Sequence, residues 1–204
     1  GTEWCAARLA SFTRRQGDLQ VPRHQPLADG DLLAPTRRVR NSAASAQGGA
    51  VGLGWAGTDG HLGLSLDGLQ HDYGVAVEPD VTVQLRRERL ALSGERRRLP
   101  GWFDQVSVEA SSTRYRHREL EGAELGTTFS SRGHELRVQA RHVPVNLGST
   151  AVRGVWGLQA TRLGFEALGD EAFVPGTRTQ TQAVFLLEEA ALGPLQLQLG
   201  ARHE

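Results

Sequence analysis

The sequence predicts an all-β protein in which about nine antiparallel strands, in up-and-down order, form an open part of a larger membrane β-barrel. Apolar and polar residues alternate with a period of two along most of the chain, which is typical of strands whose two faces meet different surroundings. Several alternating runs are longer than the ~5–6 residues of an average strand. Longer, charged connections alternate with shorter ones, as they do in outer-membrane barrels.

The composition argues against several functional classes. The chain has 204 residues, of which 39% are hydrophobic. Its 23 basic residues, all of them arginine, balance 23 acidic ones, so charge gives no argument for nucleic-acid binding. The single Cys5 cannot form an internal disulfide, and no apolar run reaches the roughly 18 residues of a transmembrane helix. No nucleophile–base arrangement or phosphate-binding glycine loop is recognisable, so we expect no enzymatic activity.

The first three strands lie in the first third of the chain. Residues 4–13 form the first, with poor alternation, and residues 14–44 have no periodicity, which predicts a long loop. Apolar residues alternate over 51–55 and again over 62–66, and a tight-turn signal at 57–60 separates the two runs. These runs predict the second and third strands.

The fourth strand changes phase. Its apolar residues occupy the odd positions 81, 83 and 85 and then the even positions 90 and 92. Because one extra residue shifts the alternation, we expect a β-bulge near Arg86 and Arg87.

The fifth and sixth strands form the longest pair. Alternation over 106–115 predicts a strand that leads into a charged loop at 116–122, and a second long strand over 124–142 returns from it. We expect a bulge at 130–133 within that second strand, because a turn there would disturb the count of strands.

The last three strands follow a turn at 143–150 that contains proline and glycine. The seventh covers 151–165, a loop covers 166–176, the eighth includes 183–187, and the ninth runs from 195 to the end. No segment has a helical period.

Connection lengths and aromatic residues indicate a membrane barrel. Tryptophans lie near the short connections, whereas Tyr73, Tyr115 and Phe165 lie near the long ones. This predicts two aromatic belts, one at each membrane interface. A soluble β-sandwich or small barrel is the alternative, because its strands alternate as well. Shorter connections are expected near 57–60, 97–103, 143–150 and 189–194, and longer ones near 14–44, 73–80, 116–123 and 166–178.

Imidazole and carboxylate groups in the charged connections are candidate metal ligands. Imidazole nitrogen together with carboxylate oxygen suits Zn²⁺ and related first-row metals, and connections far apart in sequence meet around a barrel mouth. The same residues also fit ordinary solvated loops, because no tight ligand spacing supports them. The candidates are His71, Asp72, His117, Glu119, Glu121, Glu166, Asp170 and Glu171.

Two motifs, at residues 119–129 and 169–179, resemble barrel segments of TonB-dependent outer-membrane receptors, and more narrowly the branch that contains the zinc-uptake receptors. Residues 17–22, 71–75 and 199–204 add to the resemblance. In that family the last of these resembles a strand that ends in Gly-Ala-Arg-Tyr/Val-Glu. Here His203 stands where the family has an apolar or aromatic residue.

The resemblance implies a transporter of the Gram-negative outer membrane, in which about 22 strands surround a plug that TonB engages. We therefore expect residues 1–204 to be one partial barrel domain without a plug. The implied cargo is zinc or a metal complex, with siderophore-bound iron as the alternative in the same family. Membrane lipid and TonB are the expected partners, with no nucleic acid and no tightly bound cofactor. A soluble β-barrel or sandwich that binds a ligand is the alternative from another class.

Overall fold

The computed structural model describes residues 4–28, 30–170 and 172–204 of the chain. These residues contain no helix, and therefore none that is long and apolar enough to cross a membrane. All the regular structure that they contain is β-strand. In chain order the strands are β1 (Trp4–Gln16), β2 (Gln20–His24), β3 (Leu27–Ala28), β4 (Asp31–Leu32), β5 (Thr36–Arg38), β6 (Ala44–Gly57), β7 (Gly60–Gly74), β8 (Val81–Arg97), β9 (Phe103–Glu121), β10 (Glu124–His142), β11 (Val145–Leu147), β12 (Thr150–Gly169), β13 (Thr177–Leu192) and β14 (Leu195–His203).

Nine long strands form one antiparallel sheet in the order β1-β6-β7-β8-β9-β10-β12-β13-β14. Each long strand pairs with the next long strand along the chain, which is an up-and-down topology, and β11 adds a short pairing to β12. The sheet does not close, so β1 and β14 are its two edges. The predicted all-β fold, with about nine strands in an open arrangement, is confirmed.

The region between β1 and β6 is more ordered than the sequence predicts. Within it β2 pairs with β5, and β3 pairs with β4 inside that ribbon. At its base the Leu19 amide donates to the Ser42 hydroxyl at 2.8 Å, and the Ser42 amide donates to the Asp18 carboxylate at 3.2 Å. The long connection expected over 14–44 is present between β1 and β6, outside the large sheet, but it contains regular structure that was not expected, because it folds back on itself and supplies its own strand partners.

The two predicted bulges are absent from the positions where the sequence placed them. The pairing of β8 with β7 and with β9 is continuous through Arg86 and Arg87. The pairing of β10 is likewise continuous over residues 130–133, and its register shifts lie nearer its two ends. The phase change in β8 has another cause, since its apolar side chains change from one face of a regular strand to the other.

The charged stretch at 116–122 is also not a loop. Strand β9 continues to Glu121, and β10 begins at Glu124 after a turn of Gly122 and Ala123. Gly122 has a φ of 57°, a left-handed conformation that suits glycine in a tight hairpin turn. One of the four connections that we expected to be long is therefore short.

The registers define two faces of the sheet, which we name by the residues they carry. Face A carries the cross-strand row Leu53, Leu64, Leu92, Ala110 and Leu136. Face B carries the residues one position away, because successive side chains in a strand point to opposite sides. We call the end with the turns at 58–59, 98–102 and 193–194 the turn end, and the opposite end the loop end.

A band of exposed apolar side chains covers face A at the turn end. A single sheet has no second layer to bury them, and the only buried hydrophobic residues in the described part of the chain are Val83, Ala167 and Ala183, all on face B. We call this surface the apolar band. Its large members include Val51, Leu53, Leu62, Leu64, Leu66, Leu90, Leu92, Leu136, Leu158, Val184, Leu186, Leu195, Leu197 and Leu199.

Candidate functional site

Three of the predicted metal ligands, His71, His117 and Glu119, point to face B at the loop end. His71, Leu85 and His117 occupy one cross-strand row, in β7, β8 and β9. Glu119 is two residues beyond His117 on the same strand, and it therefore points to the same side. One strand separates the two histidines, so their backbones are about 10 Å apart.

Tyr115, His117 and Glu119 form a continuous hydrogen-bonded chain along β9. The Tyr115 hydroxyl lies 3.1 Å from His117 Nδ1, and His117 Nε2 lies 3.0 Å from a Glu119 carboxylate oxygen. An ionised carboxylate only accepts hydrogen bonds, so the neutral imidazole carries its proton on Nε2 and accepts a hydrogen bond from the Tyr115 hydroxyl at Nδ1. Glu119 thereby fixes both the orientation and the tautomer of His117.

Aromatic rings on the same face lie beside the hydrogen-bonded residues Tyr115, His117 and Glu119. The His117 and Phe129 ring centroids are 4.8 Å apart, and those of His71 and Tyr73 are 4.9 Å apart. Phe129 stacks in turn against Phe165 at 6.4 Å. We call these residues, together with Tyr115, the aromatic cluster. They come from β7 and, beyond β8, from the three adjacent strands β9, β10 and β12.

The surroundings of Tyr115 favour its protonated form. Partial burial of the phenol raises the pKa of Tyr115 above its ordinary value of 10.0, and the nearby Tyr73 adds a smaller electrostatic contribution. The hydroxyl is therefore a hydrogen-bond donor to His117 at neutral pH. Because Glu119 holds the proton on Nε2, the nitrogen of neutral His117 with a lone pair is Nδ1.

The other predicted ligands do not join this group. Asp72 and Glu166 point to face A, because each lies at an even position of its strand. Glu121 ends β9 opposite Glu124, and Asp170 follows the last residue of β12. Glu171 lies outside the described residues, and within those residues no group of three or more His, Cys, Asp and Glu side chains is arranged to hold a metal ion.

The predicted aromatic belt at the loop end is on the other face from the one expected. Tyr73, Tyr115 and Phe165 occupy odd positions on face B, whereas the apolar band lies on face A. Near the turn end Trp156 lies on face A, and Trp102 stacks on His142 at 5.5 Å. The loop-end aromatic residues therefore line the candidate site.

Phe129 is the member of this cluster that sequence reasoning missed. The sequence does contain the signal for the Tyr115–Glu119 chain, which is the i, i+2 spacing of a strand. The expected loop at 116–122 concealed it. Phe129 has no such local signal, because it meets His117 only through the pairing of β9 with β10.

A comparison of the sequence with protein-family models finds no match. The chemistry of the site therefore has to be inferred from its groups. Imidazole nitrogen and carboxylate oxygen are metal-binding groups, and a cluster of rings offers stacking surfaces for a planar ligand. The lone pair of His117 Nδ1 accepts the Tyr115 hydrogen bond, so a ligand atom or ion that binds this nitrogen would replace that hydrogen bond.

Proposed function

We propose that the chain is part of the barrel wall of a TonB-dependent transporter in the outer membrane of a Gram-negative bacterium. In this proposal face A contacts lipid, and face B lines the interior. The observation that carries the proposal is the apolar band. Most of the exposed leucine side chains, such as Leu53 (62% exposed) and Leu158 (58%), lie uncovered on the same face of a sheet of nine long strands.

Exposed apolar residues of this extent need an apolar surrounding. Water-soluble monomers rarely expose contiguous apolar patches larger than a few hundred Å², and two-layered domains bury the apolar face of a sheet against a second layer. The described residues form no such second layer over face A. A lipid bilayer would cover the band without one.

The opposite face has the polarity expected of a barrel interior. A cavity of about 600 Å³ runs across face B from β1 to β12. Polar and charged side chains surround it, among them Arg8, Ser65, Arg89, Glu109 and Glu135. Alternation between a lipid-facing apolar side and a water-facing polar side is the pattern of a transmembrane β-barrel.

The two free edges support a larger barrel. Along β1 and β14 one row of backbone N–H and C=O groups has no neighbouring strand. Such groups cost several kcal/mol each inside a bilayer. Further strands paired to both edges would satisfy these groups and continue the barrel.

We further propose that the cargo binds at the aromatic cluster, beyond the apolar band. Zinc or a metal complex is the first candidate, because His117 and Glu119 form a carboxylate–histidine pair of the kind that orients metal ligands. Siderophore-bound iron is the second candidate, and the rings of Tyr73, Phe129 and Phe165 favour it. The chain itself has no enzymatic role in this proposal, and TonB would act on a plug outside these residues.

Site-directed spin labelling of the full chain in phosphatidylcholine vesicles tests the lipid-facing assignment. Cys5 is first replaced by serine, and labels are placed at Leu64→Cys and Leu92→Cys on face A. Ser65→Cys and Ser93→Cys, one residue away on face B, are the matched controls. We expect the face A labels to collide mainly with oxygen dissolved in lipid, and the face B labels mainly with a water-soluble nickel complex. Equal exposure of all four labels to the nickel complex would favour a soluble ligand-binding module instead.

A further inference from the structure

Beyond the apolar band, face A carries a groove rich in arginine. It has a volume of about 1000 Å³ and extends across β8, β9, β10, β12 and β13. Its charged side chains are exposed and include only two carboxylates, Glu88 and Glu166. The arginines that line it are Arg86, Arg114, Arg116, Arg132, Arg162 and Arg178. We call it the arginine groove.

The arginines of this groove have no anionic partner in the described part of the chain. None of the six has a carboxylate oxygen within 4.0 Å or a hydrogen bond from its guanidinium group, although other arginines, such as Arg87 and Arg141, form ion pairs. Two residues beyond Arg116 in β9, and on the same face, Arg118 Nε is buried without a hydrogen-bond partner. The groove therefore keeps an excess of positive charge, which Glu88, opposite Arg114 in the register, and Glu166 compensate only in part.

The register also places like charges directly opposite each other. Arg86 pairs with Arg116 across β8 and β9, and Arg114 pairs with Arg132 across β9 and β10. Like charges at directly opposed positions of a sheet are destabilising. Arginine is the basic residue throughout this chain, but composition alone does not place six of its residues in one groove. A bound anion would turn this unfavourable arrangement into a favourable one.

The position of the groove indicates where that anion comes from. On face A, Arg86 lies four positions from Leu90, Arg114 four from Ala110, and Arg132 four from Leu136. Four residues of strand span about 13 Å, and strand tilt makes the distance along a membrane normal shorter. Apolar band and arginine groove thus adjoin on one face, as acyl chains and head groups adjoin in a lipid.

We propose that the arginine groove binds the phosphate-bearing head groups of membrane lipids in the leaflet at the loop end. Guanidinium groups bind phosphate oxygens through paired hydrogen bonds, which an ammonium group cannot match. The acyl chains of the same lipids lie on the apolar band. This inference rests on the proposed contact of face A with lipid.

Binding of cardiolipin, whose head group carries two phosphates, to the full chain tests the proposal. The chain is kept in neutral-detergent micelles, fluorescent cardiolipin is titrated in, and fluorescence anisotropy gives the affinity. Phosphatidylcholine with the same fluorophore is the reference lipid. The test variant combines Arg114→Gln, Arg116→Gln and Arg132→Gln. The charge-matched control combines the same change at three arginines of face B, which are Arg8, Arg89 and Arg153.

We expect the test variant to bind cardiolipin on the order of 100-fold more weakly, since each basic residue near an anionic membrane surface contributes roughly fivefold in affinity. The control variant should stay within about twofold of the native chain, because its arginines point to the other face. Equal weakening of both variants would overturn the proposal, since net charge alone would then explain binding. If free pyrophosphate displaced the fluorescent cardiolipin as strongly as unlabelled cardiolipin does, the proposal would also be overturned, in favour of a soluble anion as the ligand.

Two further measurements separate the possible failures. If the test variant does not fold, Arg116→Gln alone serves, with Arg89→Gln as its control and an expected loss of roughly fivefold. Insertion of the native chain into phosphatidylcholine vesicles without a preference for cardiolipin would refute this inference alone. Failure to insert into any vesicle, for the closed barrel in which further strands pair with β1 and β14, would refute the membrane proposal as well.

Discussion

Replacing Leu64 by arginine tests the membrane assignment through the change in the free energy of unfolding. Leu64 lies on face A in the middle of the apolar band and is 46% exposed. If lipid covers this exposed part, it contributes about half of the 1.5–3 kcal/mol that full burial of a leucine provides. An arginine at the same depth adds about 2–4 kcal/mol of unfavourable transfer into lipid. The expected loss is therefore roughly 3–5 kcal/mol in the free energy of unfolding.

The matched control is Ser65→Arg, one residue away on face B and also exposed. Its side chain enters the polar cavity, where a surface substitution changes stability by only about 0.5 kcal/mol. The assay is equilibrium unfolding of the full chain in urea from phosphatidylcholine vesicles, followed by tryptophan fluorescence. If Leu64→Arg and Ser65→Arg cost the same within about 1 kcal/mol, the reasoning that places lipid on face A fails.

Three further predictions concern the candidate site and the sheet. His117→Ala should weaken binding of Zn²⁺ or of a ferric siderophore at least tenfold in calorimetric titration, whereas His134→Ala, on face A, should leave it unchanged. The native chain should lose stability in alkali, and the Tyr115→Phe variant should lack the part of that loss that comes from the phenol. Because folding raises the pKa of Tyr115, its stabilising contribution is complete below pH ~10 and is lost as the pH rises through the folded-state pKa, which unfolding curves at several pH values would detect. Gly60→Ala should cost about 1–3 kcal/mol in urea unfolding, because its methyl group would overlap a backbone carbonyl of β8, whereas Gly54→Ala, whose nearest neighbour would be 3.9 Å away, should cost little.

Period-two alternation was sufficient to predict the nine long strands and their order, although not all of their ends or the short strands β2 to β5. It could not show where a strand changes its apolar side, because the alternation itself continues through the change. In β8, residues 81–85 and 90–92 therefore indicate a bulge to a reader of the sequence, although the strand is regular. The same limitation applies to residues 116–121, whose charges suggest a solvated loop. In a single-layer sheet both faces of a strand can be polar, so charge does not end the strand.

The candidate site was predictable only in part, for a related reason. His71 and Asp72 are neighbours in sequence, and their pairing as ligands assumed a loop. In a strand the two side chains point to opposite faces, and the structure places them so. Contacts between strands, such as Phe129 against His117, depend on register. The short turn at Gly122 and the register shift between Leu125 and Thr128 together set that register, and neither could be located from the sequence.

The change of apolar side within single strands connects the fold to the proposed site. In β8 the apolar side chains lie on face B over 81–85 and on face A over 90–92. In β10 they lie on face B at Phe129 and on face A at Leu136. A strand in a soluble two-layer domain keeps one face on the core along its whole length, so it has no reason to change sides. A barrel strand that continues beyond a bilayer does have a reason to change its apolar side, because its outer face then meets head groups and water. Its inner face is then free to collect rings and imidazoles. Under the proposed orientation, one change of side produces both the arginine groove outside and the aromatic cluster inside.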